Sequence, residues 1–525
     1  LAIFSVIWLI VEPKKFTLSI LKKKNELKKD VGDIFGVQSK NTFLAKLYGD
    51  RVLVKRFDVV EFKYSTDHKI RRGLITDTYF LEESQWVKVL CSKDIQSFFD
   101  EQKSEQVEKE NVLYKVETEM PEFLQGFVGI VIEGSTIQKI RFEYAQRVSI
   151  TEGSLVDINV GGQSVLYQVI QGITESETLE YKNETGFIVG EAIQLGVWDI
   201  NTATFKKYGW LPDINAPIYL AKNIQIPVTE DNEYTIGFIP ETNYPSIINL
   251  DEAVTHHTAI MGVTGSGKSV FARNMIRQIV ERGTKTIIVD LTNEYKEKLS
   301  ELSPEQVVDS SNQSIIFSAI QAISKEKEKF PNQQDKKLIA REEANIDSAF
   351  TTAITNFLCS KNNTALFELP DLSNTTEIFD YTRWFFKTLF KIAKGHRNYD
   401  NKVCVVLEEA HTIVPEWNFS GSSDRNSQAL VNSISQIALQ GRKYDIGFIV
   451  IGQRTANISK TVLTQCNSII AFQQFDNTST EFLSNFLGKD MAASLTRLEQ
   501  RQAIATGKAF RANVPMIFQV PEIEE

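Results

Sequence analysis

The chain has 525 residues, of which 42% are hydrophobic and 24% charged, so it has the composition of a globular protein with length for two to four domains. Its formal charge of −9 excludes a surface that is basic throughout. This charge does not exclude nucleic acid, because a channel that grips nucleic acid needs only a local positive lining. Four scattered cysteines without a C-x-x-C spacing indicate neither a disulfide framework nor a zinc site, and they favour a reducing, cytoplasmic compartment.

The N-terminal segment begins without methionine, and Leu1–Val11 is almost wholly apolar. Eleven residues are too few to span a bilayer, which needs about 20. Lysines at seven positions between residues 14 and 29 follow, as is typical of the cytoplasmic side of a membrane helix. Two interpretations stay open: a buried or partner-binding helix, or part of a membrane anchor, which is the less favoured of the two. Residues 1–40 are assigned to an N-terminal helical segment.

The next block, residues 41–120, is predicted to be rich in strands. From about Thr42 to Ser92, short runs such as Arg51–Lys55 and Trp86–Leu90 alternate apolar and polar residues between polar turns. The charged stretch Asp94–Asn111 is typical of a helix or a linker.

A second block of strands runs from about Phe127 to Leu220. Its short apolar runs are separated by glycines and acidic turns, a spacing that favours a small barrel. We therefore assign residues 121–235 to a β-barrel domain.

Beyond about Pro240, strands alternate with helices, as a parallel α/β sheet requires. Helices are predicted at Thr375–Ala393 and Asn426–Gln440, and the polar stretch Lys325–Asn345 is interpreted as an exposed helical excursion. Residues 236–525 thus form one α/β domain with a helical insertion at about 300–360. Its predicted strands are Thr258–Met261, Lys285–Asp290, Ala365–Leu369, Val403–Glu408, Ile446–Gly452 and Ser468–Phe472.

The segment GVTGSGKS fits the phosphate-binding pattern G-x-x-x-x-G-K-[ST] at every fixed position. It lies between a predicted strand and a predicted helix, where backbone N–H groups and the helix N-terminus favour phosphate. The Lys268 ammonium is expected to reach the β- and γ-phosphates of ATP, and the Ser269 hydroxyl to ligate Mg²⁺. The predicted nucleotide-binding residues are Gly262, Thr264, Gly265, Ser266, Gly267, Lys268, Ser269 and Val270.

The strand Val403–Glu408 ends in two adjacent carboxylates. A buried parallel strand carries functional residues at its carboxyl end, beside the phosphate loop. Glu408 is therefore predicted to hold the Mg²⁺ shell, and Glu409 to orient or deprotonate the attacking water. The competing interpretation is that the two carboxylates only cap a strand in solvent.

Four motifs in this order carry a family resemblance: GVTGSGKS, VDLTNEY at Val289–Tyr295, VVLEEAH at Val405–His411 and QGRKYDIGFIVIGQR at Gln440–Arg454. They resemble the HerA branch of the HerA/FtsK superfamily of hexameric DNA-pumping ATPases, over roughly Gly126 to Val520. The resemblance implies a RecA-like P-loop ATPase core in the α/β class, with an N-terminal β-barrel similar to the HAS barrel. One departure is Glu408, where the family usually has Asp.

The resemblance also implies roles for two further residues. Arg442 would be the arginine finger that enters the neighbouring subunit's site, and Gln453 would sense the γ-phosphate. A solvated helix-end cation is the competing interpretation of Arg442, and Lys443 is the rival finger. Asp290 and Glu294 lie at and just after the end of the second strand. Two interpretations stay open for them: a position near the nucleotide, or acids at an ordinary strand end.

A finger that acts in trans implies a ring, which in this family is a homohexamer with double-stranded DNA in its central channel. The loop Pro415–Arg425 would face that channel or form a surface connection. Family partners include nucleases of DNA-end processing and, in antiphage systems, nuclease or sirtuin-like NADase effectors. Two alternatives are an ATP-regulated scaffold for a partner enzyme, and a membrane-bound conjugation or secretion coupling ATPase.

Overall fold

Two small β-barrels precede a large α/β domain. The computed structural model describes residues 29–39, 41–49, 54–81, 84–93, 95, 107, 109–116, 124–179, 183–290, 295–368, 375–395, 402–416 and 425–522. The apolar segment Leu1–Val11, most of Asp94–Asn111 and most of the loop Pro415–Arg425 lie outside these residues. Within them, no helix is both long and apolar enough to cross a membrane.

The first barrel is closed, with strand order β1-β2-β5-β4-β3-β6. Val31, Phe43, Phe62 and Val89 are among the side chains that fill its interior. Its strands are β1 (Lys29–Ser39), β2 (Thr42–Leu47), β3 (Val59–Lys63), β4 (Ile70–Leu81), β5 (Ser84–Leu90) and β6 (Val112–Lys115).

One sequence prediction for this region was wrong, and a second lies mostly outside the described residues. Residues 29–39 were assigned to a helical segment, but they form β1, whose edges pair with β2 and β6 and bury Val31 and Ile34 in the barrel. Of the predicted strand Arg51–Lys55, Val54 and Lys55 are described, and they lead into a turn. The Asp58 carboxylate accepts the backbone N–H of Lys55 and fixes that turn.

The second barrel confirms the prediction for the Phe127–Leu220 block. Its sheet has the order β10-β9-β13-β7-β8-β11-β12, and the pairing of β10 with β11 closes the ring. These two strands continue as a long hairpin up to the pairing of Leu179 with Asn183. The strands are β7 (Phe127–Val131), β8 (Lys139–Tyr144), β9 (Leu155–Val160), β10 (Gln163–Leu179), β11 (Asn183–Asp199), β12 (Thr204–Lys206) and β13 (Pro217–Leu220).

An eleven-stranded sheet forms the centre of the α/β domain, in the order β15-β14-β24-β23-β22-β16-β21-β20-β17-β19-β18. The strands from β22 to β18 are parallel, and all six predicted strands are among them; the edge from β15 to β23 is antiparallel. The strands are β14 (Glu233–Phe238), β15 (Pro245–Asn249), β16 (Thr258–Met261), β17 (Lys285–Asp290), β18 (Glu305–Gln306), β19 (Thr364–Glu368), β20 (Val403–Leu407), β21 (Ile446–Gly452), β22 (Ser468–Phe472), β23 (Gln502–Gly507) and β24 (Met516–Gln519).

Helices cover both faces of this sheet. The helix Lys268–Glu281 packs on one face, and the helices between Ser310 and Gln440 pack on the other. Asp309 and Asp335 cap the two helices of the hairpin Ser310–Cys359, whose tip is exposed. The helices are Leu250–Thr255, Lys268–Glu281, Tyr295–Lys298, Ser310–Lys327, Lys336–Cys359, Thr375–Lys394, Arg425–Gln440, Lys460–Leu463, Asn477–Leu487 and Lys489–Ala493.

A buried histidine fixes the entry into β16. His257 accepts the backbone N–H of Phe448 on Nδ1 at 3.0 Å, and its Nε2 lies 2.8 Å from the carbonyl oxygen of Ala438. Both contacts are satisfied by one neutral tautomer. Burial lowers the pKa of His257 to about 4. The histidine is therefore a structural link between β16 and β21.

The second barrel is tied to the α/β domain by a buried amide. Gln168 of β10 donates to the carbonyl oxygens of Gly153 and Ile517 and accepts the backbone N–H of Ile517, at 2.8–2.9 Å. Nearby, Arg497 forms an ion pair with Glu152 of the barrel and donates to the carbonyl oxygen of Ile170. These contacts set the position of the barrel against the sheet.

Candidate functional site

The phosphate loop connects β16 to the helix Lys268–Glu281. Gly265 and Gly267 have φ angles of 84° and 100°, which glycine adopts without a steric penalty. A Cβ on Gly262 would lie 2.6 Å from the Cβ of Phe472, so only glycine fits beside β22 there. The backbone N–H of Val263 donates to Gln473, and that of Arg501 donates to the carbonyl oxygen of Ser266. The loop is thus held in shape by neighbouring strand ends.

A cleft of about 730 Å³ opens over this loop. Lys268 is only 4% exposed; burial lowers the pKa of its ammonium group, and the nearby Glu409 and Glu408 carboxylates oppose that shift. Ser266 does not line the cleft, because its hydroxyl donates to the carbonyl oxygen of Val263. Gly262 does not line the cleft either. The predicted binding residues that line the cleft are Thr264, Gly265, Gly267, Lys268, Ser269 and Val270.

Glu408 follows β20 and lines the same cleft. Its Oε2 accepts a hydrogen bond of 2.6 Å from the Tyr295 hydroxyl. Burial raises the pKa of the Glu408 carboxyl, while the hydrogen bond from Tyr295 and the charge of Lys268 lower it. Glu408 is buried and hydrogen-bonded, so it is not a solvent-exposed strand cap.

Glu409 and Gln453 are joined in the cleft. Glu409 has a φ of 44°, and the backbone N–H of the next residue, Ala410, donates to Ile451 of β21. The Gln453 amide donates to Glu409 Oε1 at 2.7 Å, and His411 Nδ1 lies 3.3 Å from Oε2. The ends of β20 and β21 therefore bring together two residues that the sequence assigned to catalysis.

Arg442 lies away from this cleft. It belongs to the 3-10 helix Gly441–Tyr444, which precedes β21, whereas Gln453 follows the same strand. A strand of seven residues spans about 20 Å, so Arg442 and Gln453 lie beyond opposite ends of β21. Lys443 belongs to the same 3-10 helix, and both cations are exposed.

The remaining residues predicted from the sequence are a buried strand end, an acid outside the described residues, and a loop of which few residues are described. Asp290 is fully buried at the end of β17 and accepts the backbone N–H of Tyr295 at 2.9 Å, so its carboxylate holds the chain beyond the strand. Glu294 lies outside the described residues. Of the loop Pro415–Arg425, the described Pro415 forms a bridge with Ile458.

Sequence reasoning did not assign several residues that line or adjoin the cleft. Tyr295 contacts Glu408, and Arg273 and Gln500 line the cleft wall. Arg273 lies on the helix that follows the phosphate loop, and this position was the available signal for it. Tyr295 ended a recognised motif, but no local pattern connects it with β20.

Residues 234–490 match the model of the helicase HerA central domain. A "probable helicase" of Methanocaldococcus jannaschii is 29% identical over 136 residues, which are 25% of this chain and 24% of that protein. The DNA double-strand break repair helicase HerA of Saccharolobus solfataricus is 22% identical over 362 residues, covering 56% of this chain and 70% of that one. The matched segment thus spans about a quarter of the first relative's length.

Among solved structures, VirB4 of Thermoanaerobacter pseudethanolicus superposes with a TM-score of 0.37 and 12% identity, over 56% of this chain and 98% of that one. The fold assignment rests instead on the order and direction of the strands, which are those of a RecA-like P-loop core behind N-terminal barrels. Residues 234–490 of this chain, with the phosphate loop inside them, therefore form a domain of the helicase HerA central-domain type.

Proposed function

We propose that this chain hydrolyses ATP with Mg²⁺ and uses that reaction to move double-stranded DNA. The observation that carries the proposal is that one cleft contains the phosphate loop, Lys268, the carboxylates of Glu408 and Glu409, and Gln453. These are the parts that phosphoryl transfer to water requires. DNA as the substrate is supported by the relatives, which are named as DNA double-strand break repair helicases.

Each side chain in the cleft has a chemical task in this proposal. Lys268 would neutralise charge on the β- and γ-phosphates, and Glu409 would accept a proton from the attacking water or orient it. Gln453 would hold Glu409 in place through their hydrogen bond.

The Ser269 hydroxyl and the Glu408 carboxylate fit Mg²⁺, because both are oxygen donors in one cleft and Mg²⁺ prefers oxygen ligands shared with phosphate. When bound, the cation would offset negative charge on the phosphate oxygens. The longer side chain at position 408, compared with Asp, changes the reach of that ligand.

A ring of subunits accounts for the position of Arg442. The guanidinium cannot reach its own phosphate loop across about 20 Å of strand. It is exposed, however, and a second subunit could receive it. An arginine that stabilises charge on the transferred phosphoryl group in trans is a known device of P-loop enzymes. The proposed assembly is a homohexamer around DNA.

Within this proposal, DNA would be held by its phosphates and without sequence preference, because the chain has no base-reading motif. A partner effector, a nuclease or an NADase, would dock on the barrel side, and the system would serve DNA-end processing or antiphage defence. These partners are supported only by the resemblance of the motifs to the HerA branch.

The testing experiment measures ATP hydrolysis with and without double-stranded DNA. The wild type should be stimulated by DNA, Lys268→Ala should abolish hydrolysis, and Glu409→Gln should bind ATP but not turn it over. Hydrolysis by Glu409→Gln at the wild-type rate would move the catalytic role elsewhere, first to Glu408. ATPase activity that DNA does not affect would favour an ATP-regulated scaffold over a translocase.

A further inference from the structure

One hydrogen bond in the cleft has no role in the proposed chemistry. The Tyr295 hydroxyl donates to Glu408 Oε2 at 2.6 Å, although the two residues are 113 positions apart. Tyr295 is 4% exposed and Glu408 is 7% exposed. A short hydrogen bond to a carboxylate in a buried place is strong enough to fix the orientation of that group.

Tyr295 is itself held from a second side. Its backbone N–H donates to Asp290 Oδ2 at 2.9 Å, and Asp290 is fully buried at the end of β17. β17 and β20 are adjacent parallel strands, paired from Lys285 to Val289. The tyrosine therefore bridges the ends of two neighbouring strands of the sheet core.

We propose that Tyr295 is a positioning residue for Glu408, which it holds by one carboxylate oxygen so that the other oxygen remains available for the magnesium shell. This inference rests on the proposed ATPase function and assigns no reacting atom to Tyr295. A carboxylate has two oxygens, so one can be anchored while the other binds. The extra methylene of Glu, compared with Asp, is what lets one side chain line the cleft and reach the phenol.

The first test replaces Tyr295 with phenylalanine, which removes only the hydroxyl. We expect kcat to fall roughly tenfold or more, and the KM for ATP in MgCl₂ to rise by less than kcat falls, because the binding loop is untouched. The MgCl₂ concentration needed for half-maximal activity should rise. Tyr381→Phe is the matched control: it removes another buried phenol hydroxyl of the same domain, away from the cleft, and should leave both values unchanged.

A second readout does not need turnover. The affinity of a fluorescent ATP analogue is measured in EDTA and in MgCl₂ for the wild type and for Tyr295→Phe. In EDTA the two proteins should bind equally, while the gain in affinity on adding MgCl₂ should be smaller in the variant. An equal gain together with an unchanged kcat would overturn the inference and leave Tyr295 a packing residue.

The double variant separates positioning from a general effect. Glu408→Asp should lose most of the same activity, since a shorter side chain cannot keep its contact with the phenol. Tyr295→Phe added to Glu408→Asp should then cost less than about twofold more, because the lost contact is shared. If the fall in kcat of the double variant equalled the product of the falls in the two single variants, the proposal would be contradicted.

Two outcomes of these tests have distinct meanings. If Tyr295→Phe does not fold, as thermal unfolding would show, Glu408→Asp decides, because it keeps the carboxylate but shortens its reach to the phenol. Wild-type kcat in that variant refutes positioning, and a tenfold loss with unchanged binding of the ATP analogue in EDTA is the expected result. If the wild type itself hydrolyses no ATP, the proposed function fails, and the MgCl₂-dependent binding of the ATP analogue still tests the role of Tyr295.

Discussion

The hydrogen bond between Gln453 and Glu409 allows a quantitative prediction. Gln453→Ala removes the amide that donates to Glu409 Oε1 at 2.7 Å, and it leaves the phosphate loop unchanged. Glu409 would still lie in the cleft, but its carboxylate would no longer be held toward the end of β21. We expect slower turnover with little change in ATP binding.

The size of the effect follows from the geometry. The Glu409 side chain is 20% exposed, so solvent compensates for only part of the lost contact. A hydrogen bond to a charged group contributes about 1.5–3 kcal/mol, which corresponds to a roughly 10- to 100-fold fall in kcat if the whole contact serves the transition state. Gln453→Glu should be worse than Gln453→Ala, because it places a second carboxylate against Glu409.

Steady-state ATPase assays at saturating DNA, with binding of a fluorescent ATP analogue, measure both quantities. Gln500→Ala is the control, since Gln500 is another amide that lines the cleft. If Gln453→Ala kept the wild-type kcat, Glu409 would not depend on this hydrogen bond for its orientation. If Gln453→Glu and Gln453→Ala were equally impaired, the charge argument would be wrong.

Two further predictions concern the ring and the buried histidine. Mixing Arg442→Ala with Lys268→Ala subunits should restore part of the ATPase activity that each variant lacks. The reason is that mixed rings contain some interfaces with both side chains intact. No recovery in rings shown by mass spectrometry to be mixed would exclude Arg442 as a finger in trans. His257 has a folded pKa of about 4, below its unfolded value, so its contribution to stability is present above pH 6.5 and is lost as the pH falls toward 4. The unfolding free energy should fall by about 2 kcal/mol from this residue between about pH 7 and pH 5. Denaturant unfolding of His257→Asn should show a correspondingly smaller pH dependence, and an unchanged dependence would mean that other groups cause it.

The parallel strands of the core could be predicted because each is a continuous apolar run. Val403–Leu407 and Ile446–Gly452 are buried on both faces, so a sequence of β-branched and aromatic residues identifies them without reference to partners. The antiparallel edge from β23 to β15 was missed. Its strands lie after the last predicted strand or before the first predicted strand of the domain, and their order in the sheet is set by pairing between distant segments.

The barrel that contains β1 was also missed, for a related reason. Residues 29–39 include three lysine or aspartate residues and two glycines, so their composition does not identify a strand. Only pairing with β2 and with β6 gives Val31 and Ile34 an interior to face. Local pattern predicts a buried strand well and predicts a polar strand of a small closed barrel poorly.

The site shows how sequence distance and spatial distance diverge in a parallel sheet. Arg442 and Gln453 belong to one motif, yet the length of β21 separates them, whereas Tyr295 and Glu408 are 113 residues apart and touch. Carboxyl ends of adjacent parallel strands meet at one edge, so residues that follow different strands converge there. Residues that precede and follow the same strand cannot converge in this way, because the length of the strand lies between them. A complete site that includes Arg442 therefore requires a second subunit, and this requirement comes from the topology rather than from the motif.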